Sequence, residues 1–473
     1  MRRMDDSSHF WRFETTPRMN RRRSAYVFLL SSVAALGGLL FGYDTAVISG
    51  AIGFLRSHFS LDAAETGWAA ASLLIGCMIG AGVAGVVSDA FGRKRALMAS
   101  AVLFAGSALW SALPRGLTEF VIARVLGGVG VGMASLLSPL YIAEIAPARS
   151  RGRLVSLNQL AIVLGILLVY FVNYWIAGLG TEAWNVDVGW RWMVGSEGFP
   201  AIVFFFLLLL VPESPRWLVK QGRTDRALAV LSRLSESGQP AKELAEIQNA
   251  VSREGSSLRQ LFRPGMRKAL VIGIVLAVLQ QVTGINVFMY YAPEIFKQVG
   301  SGTNAALFQT VIIGLFNVSF TLVAMRTVDR VGRKKLMMIG IAGMGVSLSA
   351  ISLAALWNKT ELWLLVFILG YIASFAMSIG PIVWVVISEI FPTRIRGRAM
   401  AISTVALWAA DYLVSLTFPI INENTWLVEH FNHAFPFWIY ASLCVVMFVF
   451  VWRSVPETKG KTLEEIEKLW MAG

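Results

Sequence analysis

Apolar residues in this chain do not alternate with polar ones in the two-residue rhythm of a half-buried strand; they run on in long blocks. Blocks such as Ala201–Val211, Leu270–Leu279 and Cys444–Trp452 continue on either side into Gly, Ser and Ala. A hydrocarbon core about 30 Å thick takes ~20 apolar residues of helix. Lipid offers backbone groups no hydrogen bonds, so such blocks must be helices or barrel strands. They are too long and too uniformly apolar for strands. The pattern predicts an all-α membrane protein with twelve helices, near residues 25–55, 66–87, 96–113, 117–143, 153–178 and 191–211, then 267–296, 305–328, 335–356, 361–388, 398–422 and 434–454.

One polar interruption divides this series. Residues 212–266 carry weak helical periodicity at Leu228, Leu231 and Leu234, and again at Leu244, Ile247 and Val251. Short amphipathic helices on the cytoplasmic face are expected there. The chain thus reads as a tail (1–24), a six-helix half (25–211), a linker (212–266), a second six-helix half (267–454) and a C-terminal tail (455–473). The first apolar block is too long for a cleavable signal peptide and reads as the first membrane helix.

Composition agrees, with 56% of the 473 residues hydrophobic and 15% charged, too little charge to cover a soluble protein of this size. The net charge of +13 suggests nucleic acid until its placement is followed. Basic clusters at Arg21–Arg23, Arg93–Arg95, Arg149–Arg153, Arg326–Lys335 and Arg394–Arg398 all fall on one side of the membrane when the apolar blocks between them are counted. Short basic loops mark the cytoplasmic face, so both termini are expected there and no nucleic-acid partner is implied. Cys77 and Cys444 lie inside apolar blocks and read as small buried hydrophobes, not as a disulfide or metal site.

Internal repetition fixes the architecture. Asp89-Ala-Phe-Gly-Arg93-Lys-Arg after the second helix recurs as Asp329-Arg-Val-Gly-Arg333-Lys-Lys after the eighth. Glu144 with Arg151-Gly-Arg153 recurs as Glu389 with Arg396-Gly-Arg398, and Pro212-Glu-Ser-Pro-Arg recurs as Pro456-Glu-Thr-Lys-Gly. The three marks share nearly one offset and one membrane face. A parallel repeat of six helices puts the substrate site at the interface of the halves.

These motifs, with Gly42-Tyr-Asp-Thr45 and Gln280-Gln-Val-Thr-Gly-Ile-Asn286, resemble the sugar porters of the major facilitator superfamily, most of all the bacterial D-xylose:H⁺ symporters. The resemblance runs from about Arg21 to Trp470. It implies the major facilitator fold, a bacterial inner membrane location, a monosaccharide such as xylose or glucose as substrate, the proton as coupling ion with no other cofactor, and a functional monomer.

The intramembrane polar residues fit that expectation on their own chemistry. Gln159, Gln280, Gln281, Asn286 and Asn317 offer amide donors and acceptors, and Trp384 and Trp408 offer flat apolar rings. A sugar needs amides for its hydroxyls and a ring for its C–H face. A lone membrane amide often does no more than glue helices. Residues 280, 281, 284 and 287 share a helical face that Gly284 is expected to keep open, and the resemblance implies that the Gln280, Gln281, Asn286 group contacts sugar.

Asp44 and Arg124 are expected at comparable depth in the outer part of the membrane, where isolated charges are expensive and an ion pair is the natural resolution. The pair reads either as a permanent bridge or as a proton switch in which protonated Asp44 frees Arg124. The resemblance favours the switch, since proton-coupled sugar porters carry an acid and an arginine at these positions. On the cytoplasmic face, Glu144, Glu213, Glu389 and Glu457 are expected to face Arg93, Arg151, Arg333 and Arg396, with Asp329 in the same repeat. They read as solvated pairs or, following the resemblance, as an inner gate.

Two positions depart from the family. Leu407 stands where xylose symporters have Gln before Trp408, and Asp411 is an acid where an uncharged residue is usual; it could pair with a neighbouring helix or titrate. No nucleophile–base pair, metal constellation or phosphate loop marks an enzyme. Gly127-Gly128-Val-Gly130-Val-Gly132 reads as close helix packing, not as a nucleotide loop. A facilitative uniporter and a sugar sensor remain as alternatives; the short C-terminal tail argues against the sensor.

Overall fold

The computed structural model describes residues 21–147, 150–235, 238–252, 264–357, 362–391 and 395–459. The N-terminal tail up to residue 20, part of the linker and the chain from residue 460 lie outside the described residues. Twelve helices long and apolar enough to cross a bilayer follow one another: α1 (Arg23–Phe59), α2 (Ala63–Phe91), α3 (Arg93–Ala112), α4 (Leu117–Ile145), α5 (Arg151–Ala177), α6 (Glu182–Leu210), α7 (Met266–Gln298), α8 (Thr303–Val328), α9 (Arg333–Leu356), α10 (Trp363–Ile390), α11 (Arg396–Asn422) and α12 (Phe435–Ser454). The shortest, α3 and α12, have 20 residues each, which at about 1.5 Å per residue just spans the hydrocarbon. No strand occurs among the described residues.

Local signals account for the boundaries. Asp62 caps α2 by accepting from Glu65 N at 2.8 Å, while Glu65 returns a bond to Asp62 N at 3.1 Å. The turns from α2 to α3 and from α8 to α9 pass through Gly92 (φ 100°) and Gly332 (φ 101°), a backbone state open to glycine. A side chain at either would also run into Glu213 or Glu457 respectively.

The glycine run of α4 packs helix against helix, as expected. Gly128 and Gly132 lie against the carbonyls of Leu73 and Cys77 on α2, and Gly76 and Gly80 of α2 lie against those of Val125 and Val129. Small residues let backbones approach closely where lipid supplies no hydrophobic drive between helices. The two halves meet where α2 packs on α11, α5 on α8, and α1 on the second piece of α7.

α6 is interrupted by a turn at Ser196–Glu197, and α7 and α10 are broken outright. α7 divides into Pro264–Val282 and Ile285–Gln298, with Gly284 left-handed (φ 90°) between them. The face expected to run unbroken through 280, 281, 284 and 287 is therefore not one helical face. Gly284 does not leave an opening: a Cβ there would meet the Tyr440 ring at 2.7 Å. The Tyr371 hydroxyl donates to the freed Thr283 carbonyl at 3.0 Å. α10 breaks at Ser378 into Leu362–Met377 and Ile379–Ile390, and Pro381 has no N–H to continue the ladder.

Between the halves, short helices at Pro215–Lys220, Thr224–Leu234 and Pro240–Ser252 gather Trp217, Leu218, Ala227, Leu231 and Leu244 into a small core of their own. Leu228 and Ile247, from the expected periodic set, pack against it.

Candidate functional site

The centre of the first half is charged. Asp44 lies mid-way along α1 and Arg124 in α4, and both are buried, at 0% and 1% exposure. The Arg124 Nη1 pairs with the Asp44 carboxylate, and Nη2 donates to the Asp44 carbonyl at 2.9 Å. Glycines admit the pair: Gly42 lets the Ile162 carbonyl of α5 approach α1, and Gly127 backs directly onto Asp44 Oδ2.

A third charge joins them that the sequence reading missed. Glu197 of α6 is 1% exposed and interacts with both Asp44 and Arg124. Neither Glu197 oxygen nor Asp44 Oδ2 meets an N–H or O–H donor among the described residues. Two adjacent acids can bond to each other only through a proton on one of them. Glu197 sits in Gly195-Ser-Glu-Gly198, within the span expected near 191–211. The available signal was an acid just inside an expected span.

The centre of the second half is made of amides. Gln280 Nε2 donates to the carbonyls of Ile379 and Gly380, in the first turn of the second piece of α10, at 3.0 and 3.2 Å. Gln281 Nε2 donates to Gln280 Oε1 at 3.4 Å, and Asn286 Nδ2 to Gln281 Oε1 at 2.8 Å. The three expected amides thus form one chain across the α7 break. Trp408 is buried on α11, edge-on to Phe41 of α1 at 5.4 Å, so it touches the other half. Its indole N–H meets no acceptor among the described residues, and the hydroxyls of Ser403 and Thr404 on the same helix meet no partner there either. Buried polar atoms of this kind call for a polar ligand or water. Trp384 and Gln159 are half-buried on α10 and α5, and Asn317 is buried on α8. No described hydrogen bond ties these three to the amide chain. Leu407 is buried and apolar beside Trp408.

On the face carrying the basic clusters, the expected glutamates and arginines meet in part. Arg93 binds Glu144 through Nε at 2.9 Å and Asp89 through Nη1 at 2.9 Å, and Arg333 Nη2 meets Glu389 at 3.2 Å. Glu213 accepts from the N–H groups of Arg93 and Lys94 at 2.9 and 3.1 Å, capping α3. Glu457 does the same for α9 through Arg333 and Lys334, at 3.0 and 3.1 Å. Acids suit helix N-termini. Arg151 and Arg396 depart from the expected glutamate pairing: they cap the chain ends of α4 and α10, at the carbonyls of Ala146 (3.4 Å) and Phe391 (3.3 Å). The Asp329 side chain lies outside the described residues.

These pairs each close within one half. Burial pushes the Glu213 carboxyl above the usual glutamate range despite its backbone donors. Burial also acts on Glu457, but there the N–H groups of Lys459, Arg333 and Lys334 outweigh it and hold the carboxyl below that range. The links between halves lie elsewhere. At the opposite membrane face Arg56 of α1 grips Glu423, just past α11, through Nη1 and Nη2, at 2.5 and 2.7 Å. The Tyr170 hydroxyl of α5 donates to the Met289 carbonyl of α7 at 2.7 Å.

Twelve spans in two repeated halves, with buried charge at the centre of one and buried amides at the centre of the other, define a membrane transporter rather than an enzyme. The family model described as sugar (and other) transporter matches residues 30–470, and the chain belongs to that family, with the major facilitator fold. It is 46% identical over 473 residues to the D-xylose-proton symporter of Escherichia coli (strain K12), covering 94% of this chain and 96% of that one. It is 47% identical over 448 residues to the arabinose-proton symporter of Bacillus subtilis (strain 168), covering 94% and 95%. The solved structure of a proton:xylose symporter bound to 6-bromo-6-deoxy-D-glucose superposes with a TM-score of 0.82 at 45% identity, over 95% of this chain and all of that one.

Proposed function

We propose that this chain is a monosaccharide:H⁺ symporter of the bacterial inner membrane that works by alternating access as a monomer, with the basic face and both termini in the cytoplasm. The observation that carries the reading is the stoichiometry of the buried charge cluster. One guanidinium, Arg124, faces two acids, Asp44 and Glu197. Burying an uncompensated charge is costly, so the cluster is neutral with one proton on the acids and strained without it. A proton arriving at Asp44 loosens its hold on Arg124 and biases the packing of α1 against α4; its departure restores the pair.

The sugar is assigned to the amide chain of Gln280, Gln281 and Asn286, with Gln159, Asn317, Trp384 and Trp408 around it. Amides bind hydroxyls and the indoles bind the C–H face. Relatives described as D-xylose-proton and arabinose-proton symporters support xylose as substrate, and the glucose derivative bound in the matching solved structure supports a glucose-like sugar. The basic-face clusters, within-half pairs when the opposite face is latched by Arg56 and Glu423, are assigned as the inner gate that joins the halves in the other state.

Counterflow in proteoliposomes preloaded with unlabelled sugars tests the substrate class. Uptake of labelled xylose or glucose against its own preload supports the reading, and no counterflow with any aldopentose or aldohexose overturns it.

A further inference from the structure

On the basic face, a cavity of about 550 Å³ lies against the ends of α1, α2, α3 and α6 and against the linker helices. Neither the charge cluster nor the amide chain reaches it. Its volume is that of a small-molecule site. Five cations line it, Lys94 and Arg95 of α3 and Arg223, Arg226 and Arg233 of the linker, with Glu213 as the one acid among its lining residues.

The acid and two of the cations are engaged elsewhere. Glu213 Oε1 accepts from the backbone N–H groups of Arg93, Lys94 and Ser214, at 2.9, 3.1 and 2.9 Å. Lys94 Nζ donates to the Leu209 carbonyl at 2.8 Å, and the Arg223 guanidinium lies over the Trp217 ring, 5.7 Å from its centre. Arg95, Arg226 and Arg233 are left. All three are exposed, and no hydrogen bond or ion pair engages their side chains among the described residues.

The helix Thr224–Leu234 presents two faces. Ala227 and Leu231 enter the small linker core, whereas Arg226, Ala229, Val230 and Arg233, at the i, i+3, i+4, i+7 spacing, line the cavity. The positive-inside signal needs only the number of Lys and Arg in short loops. It does not require Arg95 of α3 to share one concavity with two arginines of a helix beyond α6. Like charges gathered around one cavity repel each other, and an anion between them removes that cost. Guanidinium forks match phosphate oxygens in pairs.

The rest of the wall is apolar. Met98, Val211 and Val230 form part of it, and Phe91, at the end of α2, is 59% exposed beside them. Leu210, at the end of α6, is 78% exposed. Cations and apolar walls thus meet at the membrane boundary, the arrangement by which basic pockets between spans hold lipid head groups.

We propose that this cavity binds a phosphate-bearing anion through the guanidiniums of Arg95, Arg226 and Arg233. An anionic phospholipid and a soluble phosphate share that chemistry. Every lining residue belongs to the first half or the linker, so the bound anion holds the linker against the first half and does not bridge the two halves.

Two measurements on the full chain in detergent separate the sources. Native mass spectrometry during titration with phosphatidylglycerol, or with zwitterionic phosphatidylcholine, reads the lipid. Thermal unfolding in inorganic phosphate, against chloride at equal ionic strength, reads the soluble anion. The wild-type protein should bind phosphatidylglycerol more tightly than phosphatidylcholine. Arg226→Gln/Arg233→Gln should weaken phosphatidylglycerol by about tenfold or more, the loss of charge-assisted hydrogen bonds to phosphate. Arg153→Gln/Lys242→Gln removes the same charge from exposed positions outside the cavity. It should weaken binding by less than about threefold, because a screened surface charge contributes little.

Stabilisation by inorganic phosphate that Arg226→Gln/Arg233→Gln abolishes, with the two lipids bound alike, also supports the proposal and makes the anion a soluble one. Equal weakening in the two double variants would mean that surface charge alone attracts anions, which overturns it. A wild-type protein that distinguishes neither the two lipids nor phosphate from chloride overturns it without any variant. Should Arg226→Gln/Arg233→Gln fail to reach the membrane, Arg95→Gln, from the α3 side of the cavity, is read in the same way.

Discussion

The two halves share one fold and one set of marks on the basic face, yet their centres hold different chemistry. Asp44 in α1 occupies a place in the first half close to that of Asn286 in α7 in the second. The first is locked into an ion pair with Arg124 and shadowed by Glu197. The second belongs to a chain of neutral amides that runs from the carbonyl of Ile379 on α10 through Gln280 and Gln281 to Asn286. The contrast is one of cost. A charge cluster changes its energy steeply with a single proton, whereas an amide chain exchanges hydrogen bonds with a sugar at nearly constant energy. On the proposed reading, proton and sugar are divided between the halves in this way.

The comparison breaks most visibly under truncation. Arg124→Ala leaves two carboxyls facing each other without their cation, and breaking a buried pair costs about 3–5 kcal/mol. Gln281→Ala interrupts the amide chain at a cost of about 1–3 kcal/mol. Thermal unfolding in detergent should therefore show the larger loss for Arg124→Ala, and added sugar should restore stability less in Gln281→Ala than in the wild-type protein. Equal losses would mean that the charge cluster is no more strained than the amides.

A smaller effect sharpens the comparison outside the membrane. Glu213 and Glu457 are repeat partners, each capping a helix through two N–H groups, but burial raises the first and backbone donors lower the second. Glu457 therefore contributes stability above the usual glutamate range and loses it as pH falls through its lowered value. Glu213 works in the opposite sense: its ionised form is the less favoured in the native state, and the native state gains there as pH falls. Carbon-13 titration of labelled glutamate should find Glu213 protonating at higher pH than Glu457. The reverse order would show that burial does not distinguish the two caps.

Much of this was legible in the residues. Long apolar blocks and repeated basic motifs gave the spans and the two halves, because lipid tolerates few alternatives. Asp44, Arg124 and the Gln280–Asn286 group stood out as polar atoms where polar atoms are costly. Glu197 was missed although it lies inside the span expected near 191–211, because nothing in its own neighbourhood shows that the packing of α1, α4 and α6 brings Asp44 and Arg124 beside it. The α7 break was missed because Gly284 looks like a small residue on a helical face, and a positive φ has no signature beyond glycine itself. Arg151 and Arg396 were expected to face glutamates from the repeated motifs and the family resemblance, whereas their described hydrogen bonds go to the carbonyls that end α4 and α10, which lie nearer in sequence.

The central claim, that protons bound by the Asp44 cluster drive sugar movement, is tested most directly by pH recording on lightly buffered cells or vesicles given a pulse of sugar. The wild-type protein should alkalinise the medium in step with uptake, and Asp44→Asn should exchange sugar without any pH change. Uptake by the wild-type protein with no alkalinisation would contradict the account and leave a facilitative uniporter in its place.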